Sequence, residues 1–196
     1  MTRSQLSLVV EGQSEERALP GLVARICAHL GLAEPVFRRP FRIKRQRVDR
    51  DLGRALTLCA AKMSGKGLLL VLLDSDNECA KERAPKLLAL AAEAGPAIPK
   101  AVVLAVREIE AWLLAAAESL RGLQGLRDDL HPPPDPERVG SPKAWLKERM
   151  TGTRTYGPVV DLPVLVRHID IDLARQRAPS FDKFCRTLET LLERAG

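Results

Sequence analysis

The sequence is poor in aromatic residues, cysteine and histidine, and it has no long apolar run. Aromatic residues make up 4% of the 196-residue chain, which has four cysteines and three histidines. The cysteines form no CxxC pair and the histidines no HxH or HExxH pattern, which argues against a zinc site or a disulfide framework and predicts reduced thiols in the core. No segment reaches the roughly 18 apolar residues of a membrane span. The apolar run before Glu11 is too short for a signal peptide, so a cytoplasmic protein without membrane contact is expected.

Apolar residues and positive charge are both plentiful. Apolar residues make up 45% of the chain and charged residues 29%, the balance of a globular domain with its own core. Lysine and arginine number 31 against 25 for aspartate and glutamate, which gives a net charge of +6. This excess favours polyanionic partners such as nucleic acid.

Short apolar runs alternate with stretches of helical periodicity. The predicted strands are 6–10, 67–73 and 101–106, and the predicted helices of this part are 14–30, 51–63, 78–94 and one from about residue 109. The alternation predicts an α/β fold, with a mostly parallel sheet flanked by helices, over residues 1–125. Proline and glycine then crowd together, so residues 126–196 are predicted to form a Pro-rich loop and a small helical C-terminal segment. Its helices are expected near 142–150 and 180–194.

Acidic residues follow three of the predicted strands. Glu11 follows the first, Asp74 and Asp76 follow the second, and Glu108 and Glu110 come just beyond the third. Because the carboxyl ends of parallel strands meet at one edge of a sheet, these acids are expected to converge in space. Such a group suits Mg²⁺ (or Mn²⁺), which prefers oxygen ligands. A metal held there can orient a phosphodiester and activate water.

Helix capping is the alternative interpretation for some acids. Glu15, Glu16 and Glu78 suit the positive end of a helix dipole. Glu110 suits an ion pair with Arg107, three residues before it. For the acids directly after the strands a functional role is favoured, because strand 67–73 is so apolar that its end must lie at the edge of a buried sheet.

A strongly basic segment, RRPFRIKRQRVDR, spans residues 38–50. Its predicted nucleic-acid-binding residues are Arg38, Arg39, Arg42, Lys44, Arg45, Arg47 and Arg50. Such a run neutralises several phosphates and gives salt-sensitive, largely sequence-independent affinity. The alternative is a solvated edge strand whose charges prevent aggregation.

These motifs resemble those of known families. VVEGQSEE followed at a distance by LLLVLLDSDNE is similar to the Toprim pattern, in which one strand ends in Glu and another in DxD. Along nearly its whole length the chain resembles the bacterial family called domain of unknown function forty-two seventy-six. The shared features are the EGxTEE opening, the DxD segment, the REIEAWLL run at 107–114 and an SF-containing final helix, here Ser180–Phe181. The resemblance implies a Toprim-like (Rossmann-like) fold in which Glu11 is a metal ligand or general acid/base, and Asp74 and Asp76 hold Mg²⁺.

Among Toprim proteins, the overcoming-lysogenisation-defect nucleases are the most similar in the EGxTE motif. Here Ser14 replaces the usual threonine and keeps the hydroxyl. The single tyrosine, Tyr156, is not in a topoisomerase context, which argues against strand passage. Those nucleases carry an ATPase in the same chain, but this sequence has no GxxxxGK[ST] motif. The resemblance therefore implies a separate ATPase partner, as in defence-type gene pairs.

The leading hypothesis is a Mg²⁺-dependent nuclease. Glu11, Asp74 and Asp76 are its expected catalytic residues and metal ligands, Glu110 is a further ligand, and the basic segment holds the backbone of the nucleic acid, with DNA the first candidate. Two alternatives stay open. One is a non-catalytic module that binds nucleic acid or an ATPase. The other is phosphoryl chemistry on a small nucleotide, which the basic segment disfavours because a small ligand needs few cations.

Overall fold

The computed structural model describes residues 3–194, and its centre is a parallel β-sheet with helices on both faces. The strands are β1 (Gln5–Val10), β2 (Val36–Phe37), β3 (Phe41–Arg42), β4 (Leu68–Asp74) and β5 (Lys100–Ala105). Their order is β2–β1–β4–β5, and β3 also pairs with β1. All these pairings are parallel. The prediction of an α/β fold with a parallel sheet flanked by helices is therefore confirmed.

The helices connect the strands and then form the C-terminal part. They are α1 (Gln13–Leu30), α2 (Val48–Lys62), α3 (Ala80–Ala94), α4 (Glu110–Ala115), α5 (Pro142–Glu148), α6 (Pro158–Leu165), α7 (Ile171–Arg177) and α8 (Pro179–Glu193). The predicted helices agree with these bounds to within a few residues. Helices α6 and α7 were not predicted, because each is short and α6 contains Pro163.

The sheet is buried on both faces, and its strand β4 is apolar at every position before Asp74. In β4, Leu70 and its alternate neighbours face one core cluster, whereas Val71 and its alternate neighbours face the other. The first cluster is completed by α1, α4 and the C-terminal helices. The second is completed by α2 and α3. Continuous apolar runs are typical of such doubly covered strands.

The C-terminal helices share the first core cluster with the sheet. Trp112 of α4 packs against Phe181 and Phe184 of α8, with ring centroids 5.1 and 5.2 Å apart. The Trp112 indole N–H donates a 2.8 Å hydrogen bond to Oγ of the buried Ser180. Arg25 of α1 donates to the backbone oxygen of Ile169 at 2.8 Å. These contacts fix the C-terminal part against the sheet, while the predicted domain boundary at residue 125 stays a prediction.

The cysteines are free thiols in two different environments. Cys27, Cys59 and Cys185 are buried, as predicted. The prediction of a core position is wrong for Cys79, which is exposed because it lies before the start of α3, where the chain leaves the sheet.

Across residues 3–194, no helix combines the length and the apolar character that a membrane crossing requires.

Candidate active site

The candidate active site lies where β1, β4 and β5 end side by side. We call this edge the acidic rim, and its members are Glu11, Glu15, Asp74, Asp76 and Glu110. Parallel pairing places the three strand ends together. Glu11 Oε1 accepts a 3.2 Å hydrogen bond from the backbone N–H of Asp74. Asp74 Oδ1 accepts a 2.9 Å bond from the N–H of Ile109, beyond β5. The structure thus brings Glu11 and Asp74 together, as the strand pattern predicts.

Buried carboxylates give the rim its unusual electrostatics. Glu15 is 7% exposed and Glu110 is fully buried, and among the described residues neither Oε2 atom has a hydrogen-bond partner. Burial, followed by the charges of Glu110 and Glu15, holds the pKa of Asp74 well above its ordinary value. Burial also raises the pKa of Glu110 to about 7, although Lys143 opposes the shift. The rim therefore contains negative charge that the surrounding groups compensate only in part.

Gly12 makes room for Glu15 at the rim. It precedes α1 in an extended conformation, and a Cβ at this position would overlap Glu15 Oε2. Only glycine avoids this overlap without moving the carboxylate. The sequence favours helix capping for Glu15. The signal that points to the rim instead is its position in the first turn of α1, four residues after Glu11 and three after Gly12.

The C-terminal segment contributes Lys143 and Tyr156 to the rim. Lys143 Nζ lies 3.0 Å from Glu108 Oε1 and 3.5 Å from Glu110 Oε2. Although burial lowers the pKa of Lys143, Glu110, Asp74 and Glu108 raise it well above its ordinary value. The Tyr156 hydroxyl donates to Glu110 Oε1 at 3.2 Å. The sequence gives no signal for either residue, because both reach the rim only through the packing of distant helices.

Glu110 and Asp76 occupy opposite surroundings within the rim. Glu110 is paired with Lys143 and Tyr156 rather than with Arg107, the neighbour that helical spacing suggests. The Asp76 side chain is 44% exposed and lies 2.8 Å from Arg45. Of the two acids near Asp74, Glu110 is therefore buried and Asp76 is exposed to solvent.

Arg45 of the basic segment points into the rim. Its guanidinium lies 2.8 Å from Asp76 Oδ2, 3.4 Å from Glu11 Oε1 and 3.2 Å from Glu78 Oε1. It also donates to the backbone oxygen of Asp74 at 2.8 Å. Burial raises the pKa of Glu11 above its ordinary value, although the positive charge of Arg45 offsets part of this shift. Arg45 therefore neutralises part of the negative charge at the open side of the rim. The sequence predicts a contact with nucleic-acid phosphate for the same residue.

The other cations of the basic segment are exposed. Arg39 and Arg42 both form ion pairs with Glu16. Arg47 and Arg50 both form ion pairs with Asp51. Arg38 donates to the Gln5 side chain. Lys44 has no carboxylate within ion-pair distance among the described residues. The segment forms β3 and the start of α2 beside β1, so it borders the acidic rim.

Two loops of the rim are locked in left-handed backbone conformations. Asp76 has φ 47° and Arg107 has φ 62°, a region that non-glycine residues adopt at a cost. The Asp76 N–H donates to the Arg107 carbonyl at 2.9 Å. The Arg107 N–H donates to Oγ of the buried Ser75 at 3.0 Å. These bonds hold the loops after β4 and β5 in fixed register.

The rim offers carboxylate oxygens, the ligands that a small divalent cation prefers. The cavity lined by Glu11, Arg45, Asp74 and Glu78 has a volume of about 30 Å³, enough for a water-sized species. Within residues 3–194, no three His, Cys, Asp or Glu side chains are arranged to hold a metal as they stand. Arg45 engages the oxygens of Glu11 and Asp76, so a metal there requires Arg45 to withdraw. The feature that favours added positive charge is the pair of buried Oε2 atoms of Glu15 and Glu110, which accept no hydrogen bond within the described residues.

Comparison with protein-family models gives a match over most of the chain. The model of the family described as Domain of unknown function (DUF4276) matches residues 10–189, from the end of β1 to α8. The match spans both the acidic rim and the C-terminal helices that enclose it. No curated protein and no solved structure matches the chain.

Proposed function

We propose that this chain, which belongs to the family described as Domain of unknown function (DUF4276), is a Mg²⁺- or Mn²⁺-dependent nuclease of the Toprim type. The observation that carries the proposal is the burial of the Glu15 and Glu110 carboxylates near the strand-end Asp74. Neither Oε2 atom accepts a hydrogen bond within the described residues, although Lys143 lies 3.5 Å from that of Glu110. A buried carboxylate without a partner is costly, and a divalent cation is the simplest group that offsets several of them at once. The exposed cations next to the rim suit a phosphate backbone.

In this proposal Glu11, Asp74 and Asp76 hold the metal, and Glu15 and Glu110 add negative charge around it. When bound, the cation would polarise a phosphodiester and lower the pKa of its water. Glu11 is partly exposed and its pKa is raised by burial, so it suits the exchange of a proton with that water. The basic segment holds the backbone on either side of the scissile phosphate.

The rim cavity supports a polymer substrate over a small nucleotide. At about 30 Å³ it cannot enclose a nucleoside, since small-ligand sites measure roughly 300–1,000 Å³. A phosphodiester can instead lie across the open rim, with flanking phosphates on the exposed arginines.

Cleavage and metal binding together test the proposal. Plasmid DNA, single-stranded DNA and RNA are incubated with Mg²⁺ or Mn²⁺ and with wild type, Glu11→Gln, Asp74→Asn or the exposed control Glu82→Gln. Mn²⁺ binding is measured separately by calorimetry. Wild type and Glu82→Gln are expected to bind Mn²⁺ and cleave, while each rim variant loses cleavage by about 100-fold or more, because a ligand to the metal is removed. A wild type that neither binds Mn²⁺ nor cleaves refutes the proposal.

A second candidate is a non-catalytic module that binds nucleic acid or an ATPase. The ion pairs of Arg45 with Glu11 and Asp76 favour it, because they neutralise part of the rim without a metal. This candidate predicts that Glu11→Gln leaves nucleic-acid affinity unchanged and that wild type binds no Mn²⁺. Under both candidates we propose a separate ATPase subunit as partner, since the sequence has no phosphate-binding loop of its own.

A further inference from the structure

A second cavity, larger than the one at the rim, lies between β3 and α2. Its volume is about 310 Å³, and we call it the β3–α2 cavity. Phe41 of β3 and Leu58 and Ala55 of α2 contribute its apolar surface. Leu58 is 41% exposed, although most large apolar side chains of the chain are buried. An open apolar floor of this size is typical of a binding site for a flat organic group.

Positive charge surrounds this apolar floor. Arg42, Lys44, Arg47 and Arg54 line the cavity, and Asp51 is its acidic member. Asp51 is already engaged by Arg47. Among residues 3–194, neither Lys44 nor Arg54 lies within ion-pair distance of a carboxylate. The cavity thus combines an apolar surface with cations that are free to bind an anion.

One short stretch of chain connects the β3–α2 cavity with the acidic rim. One side of the cavity is lined by Phe41, Arg42, Ile43, Lys44 and Arg47. The same stretch carries Arg45, whose guanidinium reaches Asp76 and Glu11. A group bound in the cavity therefore contacts residues that lie one and two positions along the chain from Arg45, which reaches the rim.

We propose that the β3–α2 cavity binds one unpaired nucleotide of the nucleic-acid strand whose neighbouring phosphate lies at the rim. The base packs against Phe41 and Leu58, and its phosphate contacts Lys44 and Arg54. The inference rests on the proposed function, because it assigns a position to the same substrate. A volume of about 310 Å³ is at the lower end of the range for small-ligand sites, roughly 300–1,000 Å³, and so suits a single nucleotide. A paired base cannot enter, so the site selects single-stranded or frayed substrates.

Binding measured in EDTA tests this assignment without any cleavage. Fluorescence anisotropy gives the affinity of wild type for a short single-stranded DNA and for a duplex of the same length. The variants are Phe41→Leu, Leu58→Ala and Arg54→Ala, with the exposed Arg17→Ala as the matched control for charge. Circular dichroism confirms that each variant is folded, and the solvent-exposed Leu58 provides a second apolar test if Phe41→Leu is unstable.

The two DNA forms separate base binding from phosphate binding. Phe41→Leu and Leu58→Ala are expected to weaken single-strand binding about fivefold or more, in line with the loss of base packing, and to leave duplex binding within about twofold. Arg54→Ala is expected to weaken single-strand binding more than Arg17→Ala does. Equal losses for both DNA forms, or no loss, overturn the proposal. So does displacement of single-stranded DNA by polyglutamate at equal charge concentration, which would identify an acidic peptide site.

This experiment fails or succeeds independently of the nuclease assignment. If the protein prefers single strands through Phe41 and Leu58 but binds no Mn²⁺, the nucleotide site stands and the nuclease proposal is refuted. If the protein cleaves with Mn²⁺ but these substitutions have no effect, the nuclease proposal stands and the nucleotide site is refuted.

Discussion

Replacing Glu110 by glutamine is expected to stabilise the protein at alkaline pH. The carboxyl group is fully buried, and burial raises its pKa from 4.5 to about 7. It therefore binds a proton more tightly in the folded than in the unfolded state, and the stability it contributes is present below about pH 4.5 and lost as the pH rises through 7. Each pKa unit corresponds to about 1.4 kcal/mol. The free energy of unfolding of wild type should thus fall by about 3 kcal/mol between pH 4.5 and pH 8 through this group alone.

Asp74 and Glu11 act in the same direction, because burial raises the pKa of each. Glu110→Gln removes the contribution of one of the three carboxyl groups and keeps an oxygen for the Tyr156 hydroxyl. The variant should be more stable than wild type by about 3 kcal/mol at pH 8 and similar to it near pH 4.5. Urea denaturation followed by circular dichroism at a series of pH values measures this difference.

The matched control is the exposed Glu82, whose substitution by glutamine should leave the pH dependence as in wild type. Saturating Mn²⁺ at pH 8 should raise the stability of wild type by about 2.7 kcal/mol at a concentration 100 times the dissociation constant. The gain should be smaller at pH 5, where Glu110 is protonated. Parallel pH profiles for wild type and Glu110→Gln would refute the conclusion that burial raises the pKa of Glu110.

Three further substitutions test other contacts. Arg45→Met should tighten Mn²⁺ binding in calorimetry, because the guanidinium no longer competes for the rim carboxylates; weaker binding would contradict this. Ser180→Ala should lower the free energy of unfolding in urea by about 1–3 kcal/mol, since the buried Trp112 N–H loses its acceptor. Gly67→Ala should also destabilise, because φ is +119° and a Cβ would lie 2.9 Å from the Gln5 carbonyl; an unchanged urea midpoint would argue against that strain.

The central sheet could be predicted because burial leaves a direct mark on the sequence. β4 appears as a continuous aliphatic run ending at Asp74, and the structure places its end at the edge of the sheet. Helices α6 and α7 left no such mark. Helix α6 is apolar on most of its sides, so it has no distinct polar face, and Pro163 interrupts the pattern that identifies a helix. Local periodicity therefore identified the elements that bury one regular face and missed those that are buried irregularly.

The rim could be predicted only as far as the strand ends determine it. The convergence of Glu11 with Asp74 follows from parallel pairing, which the apolar runs already indicate. The inward orientation of Arg45, the burial of Glu15 and the arrival of Lys143 depend on how whole helices pack. No pattern within a window of residues contains that information, because the contacts join parts of the chain that are far apart in sequence.

The enclosure of the rim by the C-terminal segment has a consequence for the order of events during synthesis. Glu11 and Glu15 leave the ribosome early, whereas Lys143 and Tyr156 leave late. Until those late residues arrive, Glu110 lacks the two side chains that contact it. The pKa of Glu110 is raised by burial, and the core around α4 is complete only when the C-terminal helices dock, so its abnormal proton affinity is acquired late. A reaction that requires the raised pKa of Glu110 therefore cannot take place before the C-terminal helices have docked.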